Sequence, residues 1–352
     1  NNHWTFDARL SNIGTDGYID RASVDLNSYY LQGGYFAENT SVKLIAFAGK
    51  EKTYHAWGYA TKEEMEKFGR RYNPCGEMYT DADGNKHYYT DQTDNYLQKN
   101  YQLLLNHSFS TAWNLNVALH YTKGDGYYEE YKPGSSLVEY GLKPFNPDGT
   151  ETNESDLVRQ KKMDNNFGGG VFSLNYTGNR LTASLGGGLN QYRGNNFGKV
   201  TWVKNYIGNL SPEHEYYRNK SKKTDGNIYL KANYDLTSTL SAYADLQYRH
   251  IDYTIDGVND KYDWNKNALR PLAVDKKFDF FNPKVGLNWN ITPNHRLYAS
   301  FSVAQKEPTR NNYTDGDPDS YPKAEKLLDY EAGYTFANPW LTAGANFYYM
   351  DY

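Results

Sequence analysis

Apolar and polar residues alternate with a period of two through most of this chain. Val285, Leu287, Trp289 and Ile291 alternate with Lys284, Gly286, Asn288 and Asn290, and beyond Thr292-Pro293-Asn294 the same holds for Leu297, Ala299, Phe301 and Val303 against Arg296, Tyr298, Ser300 and Ser302. Successive side chains on a strand point to opposite faces, so this stretch reads as a β-hairpin with one apolar and one wet face. The pattern predicts further strands from Trp4 to Leu10, Tyr29 to Tyr35, Val42 to Ala48, Tyr101 to Phe109, Leu115 to Tyr121, Phe172 to Tyr176, Leu181 to Leu189, Ile228 to Leu236, Leu240 to Tyr248, Tyr330 to Phe336 and Leu341 to Tyr349.

Between these roughly thirteen strands, short turns and long loops alternate. Short turns are expected at Glu38-Asn39-Thr40, Thr111-Ala112-Trp113, Gly178-Asn179, Thr237-Ser238-Thr239, Thr292-Pro293-Asn294 and Asn338-Pro339. The long loops run from Lys50 to Asp94, Thr122 to Gln160, Arg193 to Lys223, Ile255 to Asp279 and Gln305 to Leu328. Short turns therefore gather at one end of the sheet and long loops at the other. Strands of about ten residues tilted by about 45° cover the ~25 Å apolar band of an outer membrane. Greek-key jelly rolls do not connect in this order. The expected fold is all-β, an antiparallel up-and-down transmembrane β-barrel. A two-residue turn at Gly178-Asn179 would set Phe172 against Leu185, Leu174 against Ala183 and Tyr176 against Leu181, and bring two glycine triplets, Gly168 to Gly170 and Gly186 to Gly188, nearly side by side.

Composition narrows the alternatives. Only 38% of residues are apolar, but 16% are aromatic, including 36 Tyr and 7 Trp, which excludes a disordered chain. The net charge of −4, with both signs interspersed, excludes a nucleic-acid-binding surface. The single cysteine, Cys75, excludes an intrachain disulfide and a thiolate metal cluster. No apolar run reaches the roughly 18 residues of a membrane helix. The first residues, Asn1-Asn2-His3-Trp4, carry no signal-peptide pattern and read as though the chain starts inside a strand.

Candidate chemistry falls into two groups. By parity, Arg9, Lys231, Asp235, Asp245, Arg249, Lys284, Arg296 and Glu331 share the polar face, where charges are cheap; on a lipid face each would cost ~2 to 4 kcal/mol at the midplane. Aromatic and cationic residues in or beside the long loops are candidates for holding a bulky ligand: Trp57, Arg70, Arg71, Tyr127, Tyr128, Tyr131, Arg193, Tyr217 and Arg218. Those nearest strand ends also suit an aromatic girdle at the membrane interface. Asp81-Ala82-Asp83-Gly84-Asn85 resembles the start of a calcium loop without its closing acid, and reads as a hairpin tip. His214-Glu215 lacks the second His of a zinc helix, and no Ser/His/Asp grouping stands out. Neither an enzyme nor a bound metal or cofactor is expected.

Three segments late in the chain are similar to the late-barrel signature of TonB-dependent outer-membrane receptors: Lys306-Glu307-Pro308-Thr309-Arg310-Asn311-Asn312-Tyr313, Pro322-Lys323-Ala324-Glu325, and Asp329-Tyr330-Glu331-Ala332-Gly333-Tyr334. Asp16-Gly17-Tyr18-Ile19-Asp20-Arg21 resembles the branch related to ferric-siderophore and colicin receptors. Lys306 stands where the family usually has Arg, and Ala324 where a second Pro is common. The resemblance implies a barrel of about 22 strands filled by an N-terminal plug. On that basis residues 1–352 are expected to be an internal part of the barrel, without plug or closing strand, forming an open sheet. It further implies that Arg249, Lys284, Arg296, Glu325 and Glu331 are wall residues facing the plug. The implied partners are the TonB complex acting through the plug, outer-membrane lipid, a scarce nutrient such as a ferric siderophore, and a surface lipoprotein. Haem, cobalamin or a glycan remain alternatives as ligand, and an adhesin or barrel enzyme as class.

Overall fold

The computed structural model describes residues 3–352 apart from 144–147, 205, 207–209 and 211–213; Asn1 and Asn2 thus lie outside the described residues. The chain forms β1 (Trp4–Thr15), β2 (Val24–Phe36), β3 (Thr40–Tyr54), α1 (Lys62–Phe68), the small hairpin β4 (Glu77–Thr80) and β5 (Lys86–Tyr88), then β6 (Thr93–Ser108), β7 (Trp113–Ser136), β8 (Glu154–Thr177), β9 (Leu181–Val203), β10 (Glu215–Asp235), β11 (Leu240–Asp263), β12 (Ala268–Thr292), β13 (His295–Lys306), α2 (Arg310–Thr314), β14 (Glu325–Asn338) and β15 (Leu341–Asp351). All but β4 and β5 join one 13-stranded sheet in chain order, with β1 and β15 at its edges. The sheet is open, antiparallel and up-and-down, as the alternation of turns and loops requires.

The strands are far longer than the alternation suggests. β7 and β8 have 24 residues each and β12 has 25. A 24-residue strand measures roughly 80 Å, against roughly 35 Å needed to cross a ~25 Å band at 45°. Much of the expected loop from Thr122 to Gln160 is therefore wall, and the expected loop from Ile255 to Asp279 shrinks to residues 264–267 between β11 and β12. Where the wall rises beyond lipid, both faces are wet and the period-two signal fades, as at Asp275-Lys276-Lys277 within β12.

The register between β8 and β9 corrects the expected pairing. Leu174 faces Leu185, Tyr176 faces Ala183 and Phe172 faces Gly187. Gly178 donates its N–H to the Leu181 carbonyl at 2.8 Å, so the two-residue turn is Asn179-Arg180. The shift is two residues, which leaves every side chain on its expected face. Neighbouring side chains cover the glycine triplets: a Cβ on Gly170 would lie 2.8 Å from Leu119 Cδ2, and one on Gly186 would lie 2.4 Å from the Tyr229 hydroxyl.

Paired residues share a face, so the registers sort the wall into two surfaces. One carries Leu103, Leu119, Leu174, Leu185, Leu230, Leu246, Leu287 and Ala299. Large apolar side chains there stand open, with Leu185 at 42%, Leu230 at 51% and Leu287 at 51% exposure. A contiguous apolar surface of this extent is stable only against lipid. Among the described residues no helix is long and apolar enough to cross a membrane. The opposite face carries Asn106, His120, Asn190, Lys231, Arg249, Lys284 and Glu331, the composition of a lumen.

Candidate functional site

The lumenal face of the long-loop end holds the best-packed part of the chain. Ile251, Tyr253 and Ile255 of β11 and Leu272, Val274 and Phe280 of β12 make a buried apolar patch, and Tyr313 of α2 caps it at 1% exposure. The segment 307–324 between β13 and β14 therefore folds back onto the inner wall. Arg310 donates to Asn219 Oδ1 at 2.7 Å, Asn259 to the Thr314 carbonyl at 2.6 Å, and Arg270 to the Gly316 carbonyl at 3.0 Å.

A charged cluster anchors the start of this segment. Glu307 accepts from Lys223 and from Arg249 Nη1 at 3.1 Å, while Arg249 also grips Asp225, with Nη2 to Oδ2 at 2.5 Å. The Glu307 side chain is only 9% exposed. Burial alone would raise its pKa, but the hydrogen bond from Lys223 and the charges of Lys223 and Arg249 outweigh that and hold the carboxyl below the usual glutamate range.

A second group lies along the same face. A cavity of 350 Å³ is lined by Tyr96, Gly126, Tyr128, Lys161, Asn196 and Tyr217 among others. The glycines here make room for rings. A Cβ on Gly126 would meet Tyr96 Cδ2 at 2.6 Å, and one on Gly198 would meet Tyr217 Cε1 at 2.4 Å. Lys161 pairs with Asp260, tying β8 to β11 across the concave wall, and its Nζ lies 5.8 Å from the Tyr128 ring centre. Desolvation disfavours the Lys161 charge, yet Asp260 more than compensates and its pKa is raised. Burial pushes the Tyr128 and Tyr217 hydroxyls up, so both remain neutral donors. The site thus offers flat aromatic surface, phenolic O–H groups and one cation whose counterion an anionic ligand could displace.

Trp57 joins this group from the loop after β3. It stacks on His55 at 3.7 Å between ring centres and stands edge-on to Tyr128 at 5.8 Å. Trp57 is 52% exposed, whereas His55 beneath it is 2% exposed and neither of its ring nitrogens has a hydrogen-bond partner. Burial lowers the His55 pKa and keeps the ring neutral.

The remaining loop candidates are placed elsewhere. Arg71 pairs with Asp20 at 3.1 Å beside the Tyr18 ring, and Arg70 is exposed next to it. Tyr127, Arg193 and Arg218 lie on the outer face by register, although Tyr127 and Lys162 also border the cavity: Lys162 sits 4.3 Å over the Tyr127 ring, Arg193 donates to Gln191 at 2.7 Å, and Arg218 forks onto Glu215 at 2.6 and 2.5 Å above Phe197. Tyr131 is buried and donates to Asp156 at 2.7 Å. Of the wall residues, Lys284 faces Asp245 and Ser302, Arg296 stands exposed near the short-turn end, Glu331 lies between Ser300 and Tyr348, and Glu325 opens β14 opposite Lys306. Sequence reasoning misses Tyr96 and Lys161, whose parity marks them as lumenal only once strands are known to extend so far, and Asp260, which parity with Leu246 would put on the outer face and which meets Lys161 beyond the register irregularity between Val258 and Tyr262. Asp81 tips the β4–β5 hairpin, accepting from the backbone of Asn85 at 2.8 Å and meeting His87 Nε2 at 2.9 Å; its pKa falls to about 2, chiefly through that histidine contact. Among the described residues no group of three or more His, Cys, Asp and Glu is placed to hold a metal ion.

Residues 52–352 match the family model described as TonB dependent receptor-like, beta-barrel. A comparison with curated proteins yields no match. Among solved structures, the ferric-catecholate import receptor Fiu from E. coli K12 in its open form superposes with a TM-score of 0.64 at 12% identity, over 99% of this chain and 55% of that one. The ferric yersiniabactin uptake receptor FyuA from Yersinia pestis gives 0.61 at 11% identity, over 99% and 50%. The copper transporter OprC gives 0.64 at 12% identity, over 99% and 51%. The chain spans about half the length of these relatives. At such identities the likeness shows a shared fold. The family is one of outer-membrane transporters and receptors. By its family match, its strand order and its lipid-exposed apolar face, the chain belongs to the TonB-dependent receptors and supplies part of their β-barrel.

Proposed function

We propose that the intact protein imports a ferric siderophore across the outer membrane, with energy delivered by the TonB complex through a plug inside the barrel. This chain contributes barrel wall and the surface that first holds the ligand. The observation that carries the reading is the lumenal cavity at the long-loop end, where Tyr96, Tyr128 and Tyr217 surround Lys161. Anionic chelates that present flat aromatic ligand groups suit that combination of rings, phenolic donors and cation. The neighbours named for ferric-catecholate and ferric yersiniabactin uptake agree with this ligand class.

The test is a deletion strain supplied with single iron chelates, complemented by the intact receptor or by its Tyr128→Ala and Lys161→Ala variants. Uptake of at least one chelate should vanish on deletion, and both variants should weaken chelate binding about tenfold or more. Normal chelate uptake by the deletion strain, with failure on haem, cobalamin, a glycan or copper instead, would remove the siderophore reading.

A further inference from the structure

The cavity around Lys161 has a second, acidic pole. It spans two adjacent rows of cross-strand partners on the lumenal face. In the upper row Asp94 faces Tyr128, Tyr128 faces Lys161, Lys161 faces Gly198, and Gly198 faces Tyr217. In the lower row Glu51 faces Tyr96, and Tyr96 faces Gly126. Glu51 and Asp94 line the same 350 Å³ space as Lys161. Both carboxylates are half-buried, and among the described residues neither forms an ion pair or a side-chain hydrogen bond. Two other acids at this end, Glu130 and Asp260, are matched by Arg159 at 2.8 Å and by Lys161. His55 feels the Asp94 charge, but burial keeps that ring neutral and it supplies no counterion.

The spacing suits one cationic group at the acids and one anionic group at the lysine. As diagonal neighbours on one face, Glu51 and Asp94 stand about 7–8 Å apart, within joint reach of a single ammonium or guanidinium. Each has a tyrosine ring as its direct partner, and a carboxylate beside an aromatic face is a favourable seat for such a cation. Asp94 lies on β6 and Lys161 on β8, with Tyr128 of β7 between them, which at ~4.8 Å per strand separates the two poles by about 10 Å. A ligand that is anionic throughout would be drawn to Lys161 and repelled by both acids.

We propose that the ligand is amphoteric: an iron chelate whose anionic part sits at Lys161 and whose side arm, a protonated amine or guanidinium, sits between Glu51 and Asp94. The proposal rests on the uptake reading and narrows it, because a chelate without a basic arm would meet two uncompensated carboxylates. Glu51 and Asp94 are then specificity residues, selecting among chelates that Lys161 and the rings would accept alike.

Isothermal titration of the intact protein tests it with ferric catecholate, hydroxamate and hydroxycarboxylate chelates, each carrying a primary-amine arm or the same arm acetylated. At least one amine-bearing chelate should bind about tenfold tighter than its acetylated twin, or better. Combined Glu51→Gln and Asp94→Asn substitutions should abolish that preference by weakening the amine form, with the acetylated form bound no more weakly than before. Lys161→Ala, which tests the uptake reading itself, should weaken both forms. Equal wild-type affinity for the twins, a preference that survives the double variant, or equal weakening of both forms by it would overturn the amphoteric ligand while leaving siderophore uptake standing. Binding of no chelate in the panel would remove the uptake reading, and the proposal with it.

Discussion

Tyr298 lies flat over Gly333, its direct partner across β13 and β14, so that a Cβ on Gly333 would fall 2.1 Å from Tyr298 Cε1. The same relation joins Tyr96 to Gly126, Tyr217 to Gly198 and Tyr229 to Gly186, each a directly opposed pair on the lumenal face. Glycine opposite tyrosine lets the ring cover the bare backbone while keeping the lumen open. Gly333→Ala should push the ring inward at a cost of about 1 kcal/mol. Gly257→Ala should cost more, because that residue has φ +125° and its Cβ would lie 2.3 Å from the Arg218 carbonyl oxygen. Gly49→Ala, with nothing within 4 Å, should be neutral. Unfolding midpoints of the three variants in detergent check that order.

Glu307 should fasten the inward-folded segment. Glu307→Ala leaves Lys223 and part of Arg249 without their acceptor, and should destabilise the docked segment by about 1–3 kcal/mol. Hydrogen exchange at residues 308–316 should rise, with strands β13 and β14 little changed.

The same carboxylate makes docking pH-dependent. Its pKa is lowered in the folded state from an ordinary 4.5, so its contribution is complete above that value and is lost as pH falls through the folded pKa. Exchange in the segment should therefore accelerate on acidification below about pH 4.5 in the wild type, and respond much less in Glu307→Gln.

His55 behaves in the opposite chemical sense but with the same direction. Its folded pKa lies below the ordinary 6.5, so the unfolded loop takes up a proton first and stability falls as pH drops below about 6.5. Trp57 stacks on this ring, and its fluorescence should report the loosening. Replacement His55→Phe should keep the stack and abolish the pH response between about 7 and 5; an unchanged response would assign it to another group.

The wall was legible in the sequence wherever the two faces meet different solvents. Alternation like that of Val285, Leu287 and Trp289 recurs in too many segments to arise by chance, and the rows through Leu119, Leu185 and Leu287 fall on one face as expected. Beyond the membrane that contrast disappears, which is why the strand from Leu240 to Tyr248 proves to continue to Asp263. The site suffered most from this. Tyr128 and Tyr217 could be nominated as loop aromatics, but Tyr127 and Arg218, adjacent to them in the chain, point to the other side of the wall. The pairing of Glu307 with Arg249 joins residues far apart in sequence and leaves no local signal.

The central claim, that this sheet separates lipid from a lumen, is tested most directly at adjacent residues of β12. Spin labels placed at Leu287→Cys and Asn288→Cys, in a Cys75→Ser background of the intact protein in lipid, should differ sharply. The label at 287 should collide with dissolved oxygen in the acyl region and resist a water-soluble nickel chelate, while the label at 288 should be shielded from lipid. Equal accessibility at the two positions, or greater lipid exposure at 288, would contradict the assignment.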